Sequence, residues 1–260
     1  MKLNAVFASV LMLCLSACND ISEDNRLIEV EAATVKRTVL IEDFTGQKCL
    51  YCPQGAEAIS ALQKQYSATS VIAVAIHAGP LSVTPETDAQ GLSTPTGNTY
   101  YRHWNIEELP TGLVNRSGKT LNVDEWGAKV HEQLERVTPV SIAIDTRCDA
   151  VGRKGTVKVR VKSTEDTDGK LQIWLTEDAI TAFQRMPDGT YNDQYLHNHV
   201  FRTAVNGDWG EAVKLRPGTP ADTEHTLNIP AAWDITQLHI VAFIYNDDGV
   251  QQAAIEKLMK

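Results

Sequence analysis

Basic residues are in short supply in this 260-residue chain. It carries 24 Lys and Arg against 33 Asp and Glu, for a formal net charge of −9, so the positive surface that a phosphate backbone requires is missing. No nucleic-acid partner is expected. No apolar run reaches the roughly 18 residues that cross a bilayer as a helix, and no internal repeat of solenoid length is visible. Gly (16) and Pro (10) are too sparse for low complexity, and 43% hydrophobic with 22% charged residues excludes wholesale disorder. The length exceeds what one average domain usually holds and predicts two. Cysteine is scarce too, with five in all, yet the positions of those five are the most informative feature of the chain.

Met1 to Ala17 read as an address: Lys2, an apolar run from Ala5 to Leu15, then Ser16 and Ala17. Leu15-Ser16-Ala17-Cys18 resembles the bacterial lipobox, in which cleavage before the Cys leaves it as the lipid-modified N-terminus. Residues 1–17 are therefore expected to be a lipoprotein signal peptide, with Cys18 the lipidation site and a lipid membrane the first partner. Loss of Lys2 takes the charge from −9 to −10. The polar, acidic Asn19 to Asn25 begins a flexible tether over 18–34, similar to the acidic stretches of surface-exported lipoproteins in the Bacteroidetes. A periplasm-facing position and a cell-surface position both remain open.

Three thiols are left, and Cys49 and Cys52 form a C-x-x-C. Outside the cytoplasm such a pair favours a disulfide over a metal site. Val39-Leu40-Ile41 with Phe44 predicts a buried strand that Gly46 ends. From Pro53 the pattern turns helical, with Ala56, Ile59, Ala61 and Leu62 as the apolar stripe, and Val71 to Ile76 predicts a second buried strand. The thiols then lie at a helix N-terminus, where unpaired N–H groups and the helix dipole stabilise a thiolate. Cys49 is the attacking sulfur of such a pair and Cys52 the resolving one, with Lys48 adding positive charge.

This segment resembles the thioredoxin superfamily. Asp43-Phe44 stand where that family places an acid and an aromatic before its cysteines, and the resemblance makes Asp43 the buried carboxylate that takes a proton from Cys52. An exposed strand residue is the other reading of Asp43. Leu109-Pro110-Thr111 resembles the family's cis-proline loop, which implies that Pro110 faces the site. Leu50-Tyr51 between the cysteines and Lys48 before them depart from the usual residues. The stretch 78–108 is an insertion, read either as a lid or as a surface elaboration around Tyr100, Tyr101, His103 and Trp104.

Asn122 to Leu134 predicts a capped helix with Val123, Trp126, Val130 and Leu134 on one face. Beyond Pro139 the period becomes two, through Val140, Ile142 and Ile144, then Val157, Val159 and Val161, then Leu171, Ile173 and Leu175. Leu227 and Ile229 continue it, and Leu238 to Tyr245 is a more continuous run. Turn signals stand at Asp166 to Gly169, Pro187 to Gly189 and Asn246 to Gly249. The expectation is an α/β thioredoxin-like domain over 35–137 followed by an all-β immunoglobulin-like sandwich over 138–260.

His197-Asn198-His199 puts two imidazoles on one face of a strand, but two ligands do not close a metal site, and histidines hydrogen-bonded at a turn or interface are expected instead. Cys148 reads as a small hydrophobe or a free thiol. No metal or cofactor is expected. The lipobox, Glu42 to Gly46 leading to Cys49 to Pro53, Trp174 to Asp178 and His197 to Arg202 together resemble the Omp28-related outer-membrane lipoproteins of Bacteroidetes. That resemblance covers nearly the whole mature chain. It implies an outer-membrane lipoprotein of a family that includes surface antigens and adhesins, while the residues fit either thiol–disulfide exchange on a protein thiol or disulfide, or non-catalytic, adhesin-type binding of a surface partner in which the cysteines are a static bridge.

Overall fold

Val39 to Thr45 is buried at every position, which a strand achieves only when both faces of its sheet are covered. The computed structural model describes residues 34–260, so the expected signal peptide, Cys18 and most of the tether lie outside the described residues. The chain runs through β1 (Val35–Lys36), β2 (Val39–Thr45), α1 (Cys52–Tyr66), β3 (Val71–His77), α2 (Pro95–His103), β4 (Thr111–Val114), β5 (Leu121–Asn122), α3 (Val123–Leu134) and β6 (Val137–Thr138). It continues as β7 (Val140–Asp149), β8 (Lys154–Ser163), β9 (Thr167–Glu177), β10 (Ile180–Arg185), β11 (Tyr191–His197), β12 (Val200–Ala204), β13 (Glu211–Leu215), β14 (Ala221–Asn228), β15 (Leu238–Asn246) and β16 (Gly249–Lys257). The described residues are mostly β, with three short α-helices among them.

Sheet order explains the burial. A nine-stranded sheet runs β16-β15-β9-β12-β3-β2-β4-β5, with β13 added on β9. β2 and β3 are parallel, Val39 opposite Val71, and β4 is antiparallel to β2. One face of this part carries α1 and α3, through Val39, Ile41, Ile59, Leu62, Ala73, Trp126 and Val130. The other packs Leu40, Phe44, Ile72 and Leu113 against Tyr100, Trp174, Phe201 and Phe243. A three-stranded sheet, β14-β8-β7, covers β9 and β15 in a sandwich whose filling is Val157, Val159, Val161, Ile173, Leu175, Ile240 and Ala242.

The expected boundary at 137/138 coincides with no break in the sheets. β12 lies parallel to β3 on one side and antiparallel to β9 on the other, and β1 pairs with β6 across the boundary, Val35 opposite Thr138. Ala33–Lys260 forms one unit. The insertion does not form a core of its own. Its helix α2 drives Tyr100 into the shared core, where the ring lies 5.3 Å from that of Trp174 and 5.7 Å from that of Phe201.

Two local expectations are corrected. The buried face of α1 is Cys52, Gly55, Ile59 and Leu62, while Ala56 and Ala61 are exposed, because the helix begins at Cys52 and its i, i+4, i+7 row falls one residue earlier than the stripe of alanines suggested. The turn expected at Asp166 to Gly169 is largely strand: Gly169 pairs with Val213 within β9. A Cβ there would come within 2.6 Å of the Tyr245 carbonyl oxygen, so the glycine serves close strand approach and not a bend.

Candidate functional site

β2 carries two adjacent carboxylates to opposite faces of the sheet, since strand side chains alternate. Glu42 enters the shared core, where its Oε1 and Oε2 accept from Arg116 Nε at 2.6 Å and Nη2 at 3.0 Å. Tyr245, Phe243, Trp104 and Trp174 surround that guanidinium, their ring centroids 4.6 to 5.6 Å from its carbon. Asp43 faces α1 and is 2% exposed, so it is not the exposed strand residue that was its other reading. No protein atom bonds Asp43 Oδ1, and burial alone pushes the carboxyl up to about 7.

Cys49 and Cys52 are disulfide-bonded, with Cα atoms 5.5 Å apart. Cys52 opens α1, and Lys48 beside Cys49 is exposed. The Leu109–Pro110 bond is cis. Gly55, in the first turn of α1, brings these parts together: a Cβ built on it would lie 3.4 Å from Pro110 Cβ and 3.5 Å from Asp43 Oδ1. Asp43, the start of α1 and Pro110 therefore meet at one place.

The second half of the chain closes over this place. β10 and β11 form a two-stranded hairpin, and its Gln184 donates from Nε2 to the Cys49 carbonyl at 2.9 Å and to the Gly46 carbonyl at 3.4 Å. Arg185 N–H donates to the Gln47 carbonyl at 2.8 Å. Gln47 in turn donates to the Gln90 and Phe183 carbonyls and accepts from Leu92 N–H. Cys49 is 2% and Cys52 3% exposed under this cover. Nothing in the sequence pointed to Gln184, because the contact joins residues far apart in the chain.

A cavity of about 210 Å³ lies beside the pair, lined among others by Asp43, Cys52, His77, Gln184, Tyr195 and His197. His77 stands two residues beyond the Ala75 that opposes Asp43 in the β2–β3 register. It is buried, and neither ring nitrogen has a partner at hydrogen-bond geometry. Its ring meets that of His197 edge-on at 5.2 Å, and His197 meets Tyr195 at 4.8 Å. Burial is the main cause that lowers both imidazoles, His77 well below the usual range and His197 to about 4.

The His197-Asn198-His199 trio does not share a strand face. His197 ends β11, while His199 sits in a left-handed conformation at φ +58° and lies 3.2 Å from an Asp178 carboxylate oxygen. No group of three or more metal-ligating side chains occurs among the described residues. Cys148 lies within β7, half-buried against the sandwich filling.

The chain matches the family model of outer membrane protein Omp28 over residues 97–258. It belongs to the Omp28 family. Membership places the chain at the outer membrane. The matched stretch begins after the Cys49–Cys52 segment, so it speaks to location and to the second half more than to the thiols. Similar solved structures include HBP35 of Porphyromonas gingivalis, at a TM-score of 0.67 and 17% identity over 87% of this chain and 77% of that one. A protein from Agrobacterium tumefaciens follows at 0.52 and 13%, over 87% and 96%. A domain of the outer membrane lipoprotein Omp28 from Porphyromonas gingivalis is 24% identical over 47% of this chain and 89% of that one, with a TM-score of 0.35. The first two likenesses speak to fold alone. No curated protein matches this chain.

Proposed function

We propose that this Omp28-family protein is a lipid-anchored thiol–disulfide oxidoreductase, held at the outer membrane through Cys18, with a thioredoxin-like arrangement of residues 35–137. Asp43 carries the proposal. A buried carboxyl with an unpartnered oxygen costs about 1–3 kcal/mol for the unmade hydrogen bond alone. A static bridge has no use for that cost, whereas a resolving cysteine needs a nearby base whose pKa lies near the working pH.

In the dithiol form, Cys49 thiolate attacks a substrate disulfide, one substrate sulfur leaves as thiolate, and a Cys49 mixed disulfide forms. Asp43 takes the Cys52 proton. Cys52 thiolate then attacks Cys49 Sγ, the Cys49–Cys52 bond forms, and the second substrate sulfur leaves with its electron pair. The substrate disulfide is reduced and the protein pair oxidised, and partner protein thiols run the same steps in reverse. Pro110 shapes the groove that takes the substrate peptide, and exchange by this pair uses no cofactor.

A specific observation favours a second reading, that of a binding lipoprotein with a structural bridge: Gln184 and the β10–β11 hairpin leave both cysteines almost fully covered. One measurement separates the two. A reduction potential between about −120 and −270 mV, with a Cys49 pKa below about 7.5, supports exchange. A potential below about −300 mV with an unreactive Cys49 makes the bridge structural and overturns the proposal.

A further inference from the structure

His77 and His197 are buried titratable groups at this site that the exchange steps leave unused, and His77 is the more deeply buried of the two. Neither of its ring nitrogens has a side-chain partner, only the Ala75 carbonyl acts on the ring from the backbone, and the residue lines the same cavity as Asp43 and Cys52. A polar ring kept in that state is costly unless it serves the cavity it faces. Register places it well: Thr45 opposes His77 and Asp43 opposes Ala75, so Asp43 and His77 project from the same face of adjacent strands. Beyond His77 stands His197, in ring contact with it, and then the rim residues Asn198 and His199.

Resting on the exchange reading, we propose that His77 is a positioning residue of that reaction: with His197 it conducts to the cavity mouth the proton that Asp43 takes from Cys52. The balance is simple. Asp43 becomes neutral when Cys52 loses its proton, and cannot serve again until it has released it. One ring nitrogen of His77 accepts the proton through cavity water while the other gives its own through water to His197, which releases it to solvent at the cavity mouth, so both imidazoles end neutral and the tautomer of His77 is exchanged. The pair of rings is suited to passing a proton on, because burial keeps an imidazolium from persisting on either. The ionisable groups that share the cavity with His77 are Asp43 from β2, Cys52 from α1, Tyr195 and His197 from β11 and His199 from the turn before β12, and Arg202 from β12 acts on the ring by its charge. Arg202 and the neighbouring imidazole both oppose charge on the ring, while a charged Asp43 would favour it.

The test is a single turnover of the full chain in detergent. The reduced protein is mixed with one equivalent of 5,5′-dithiobis(2-nitrobenzoate) between about pH 6 and pH 9, and peptide mass spectrometry after acid quench assigns the products to the Cys49–Cys52 pair. First release of the aromatic thiol reports attack by Cys49, and second release reports resolution by Cys52. His77→Leu is expected to slow the second release by roughly ten-fold or more at neutral pH and to move its pH midpoint, with the first release unchanged. In His77→Ala, added imidazole is expected to restore the second release, which a ring that merely fills space would not allow. His197→Leu repeats the measurement if the His77 variants fail to fold.

A second release within about two-fold of wild type at every pH, or a slow release that imidazole does not restore, overturns the inference while leaving exchange intact. If the reduced wild-type pair gives no release at all, the exchange reading itself falls and takes the inference with it.

Discussion

Asp43 and Glu42 are neighbours with the same chemistry and opposite settings. Glu42 is neutralised by Arg116, and Asp43 faces no cation and is driven toward its neutral form. For Asp43 the folded-state value, about 7, lies above the unfolded one. Its contribution to stability is therefore fully present below about pH 4 and is lost as pH rises through 7. Asp43→Asn removes this loss, so the variant should gain on wild type by up to about 4 kcal/mol between pH 4 and pH 8, since one proton contributes about 1.4 kcal/mol per pH unit. Urea denaturation at both ends of that range checks it, and parallel stability curves for the two proteins would refute it. His197 acts with the opposite sign. Its value is lowered to about 4, so stability is lost as pH falls from about 6.5 toward 4, and His197→Phe should remove one proton's worth of that slope. At the other face, Arg116→Met leaves Glu42 buried without its cation and should cost about 3–5 kcal/mol in chemical denaturation, with Glu42→Gln recovering part of it in the double variant.

Elements were legible where the pattern is local. β2, α1, β3 and β15 follow from continuous apolar runs, a proline at a helix start and a turn at Asn246 to Gly249, each decided within a few residues. The β10–β11 hairpin was legible as a turn at Pro187 to Gly189 but not in its position, because its hydrogen bonds to Gly46, Gln47 and Cys49 depend on how the second half folds back. That position has a consequence at the thiols. Removing the Gln184 amide leaves the Cys49 carbonyl unsatisfied, a loss of about 1–3 kcal/mol, which favours an open hairpin by about five-fold or more. Gln184→Ala should speed reduction of Cys49–Cys52 by a small phosphine by about the same factor. An unchanged rate would mean that the hairpin does not control access to the pair.

At the scale of the molecule, the two predicted halves share one sheet, and strand order is the property that sequence patterning does not carry. From sequence, Val200 to Ala204 enters only through the family likeness at His197 to Arg202. Only the fold shows it lying between β3 and β9, joining residues on both sides of the predicted boundary. The same junction brings His197 against His77, which is why half of the cavity beside Cys52 was invisible to a reading that kept the halves apart. It also decides what the N-terminal half can do alone. Leu40, Phe44, Ile72, Val74 and Leu113 pack on Trp174, Phe201, Val241 and Phe243, and a fragment of residues 35–137 would expose that whole face of its sheet. Full burial of one such side chain contributes about 1.5–3 kcal/mol, so losing cover on five is comparable with the roughly 5–15 kcal/mol typical of a whole domain's stability. The fragment should therefore show no cooperative thermal transition, whereas the chain containing residues 34–260 should melt in a single step by far-UV and near-UV circular dichroism. A fragment that melts cooperatively with protected amides in β2 and β3 would show that the shared face is dispensable, and that the proposed redox half stands as a domain of its own.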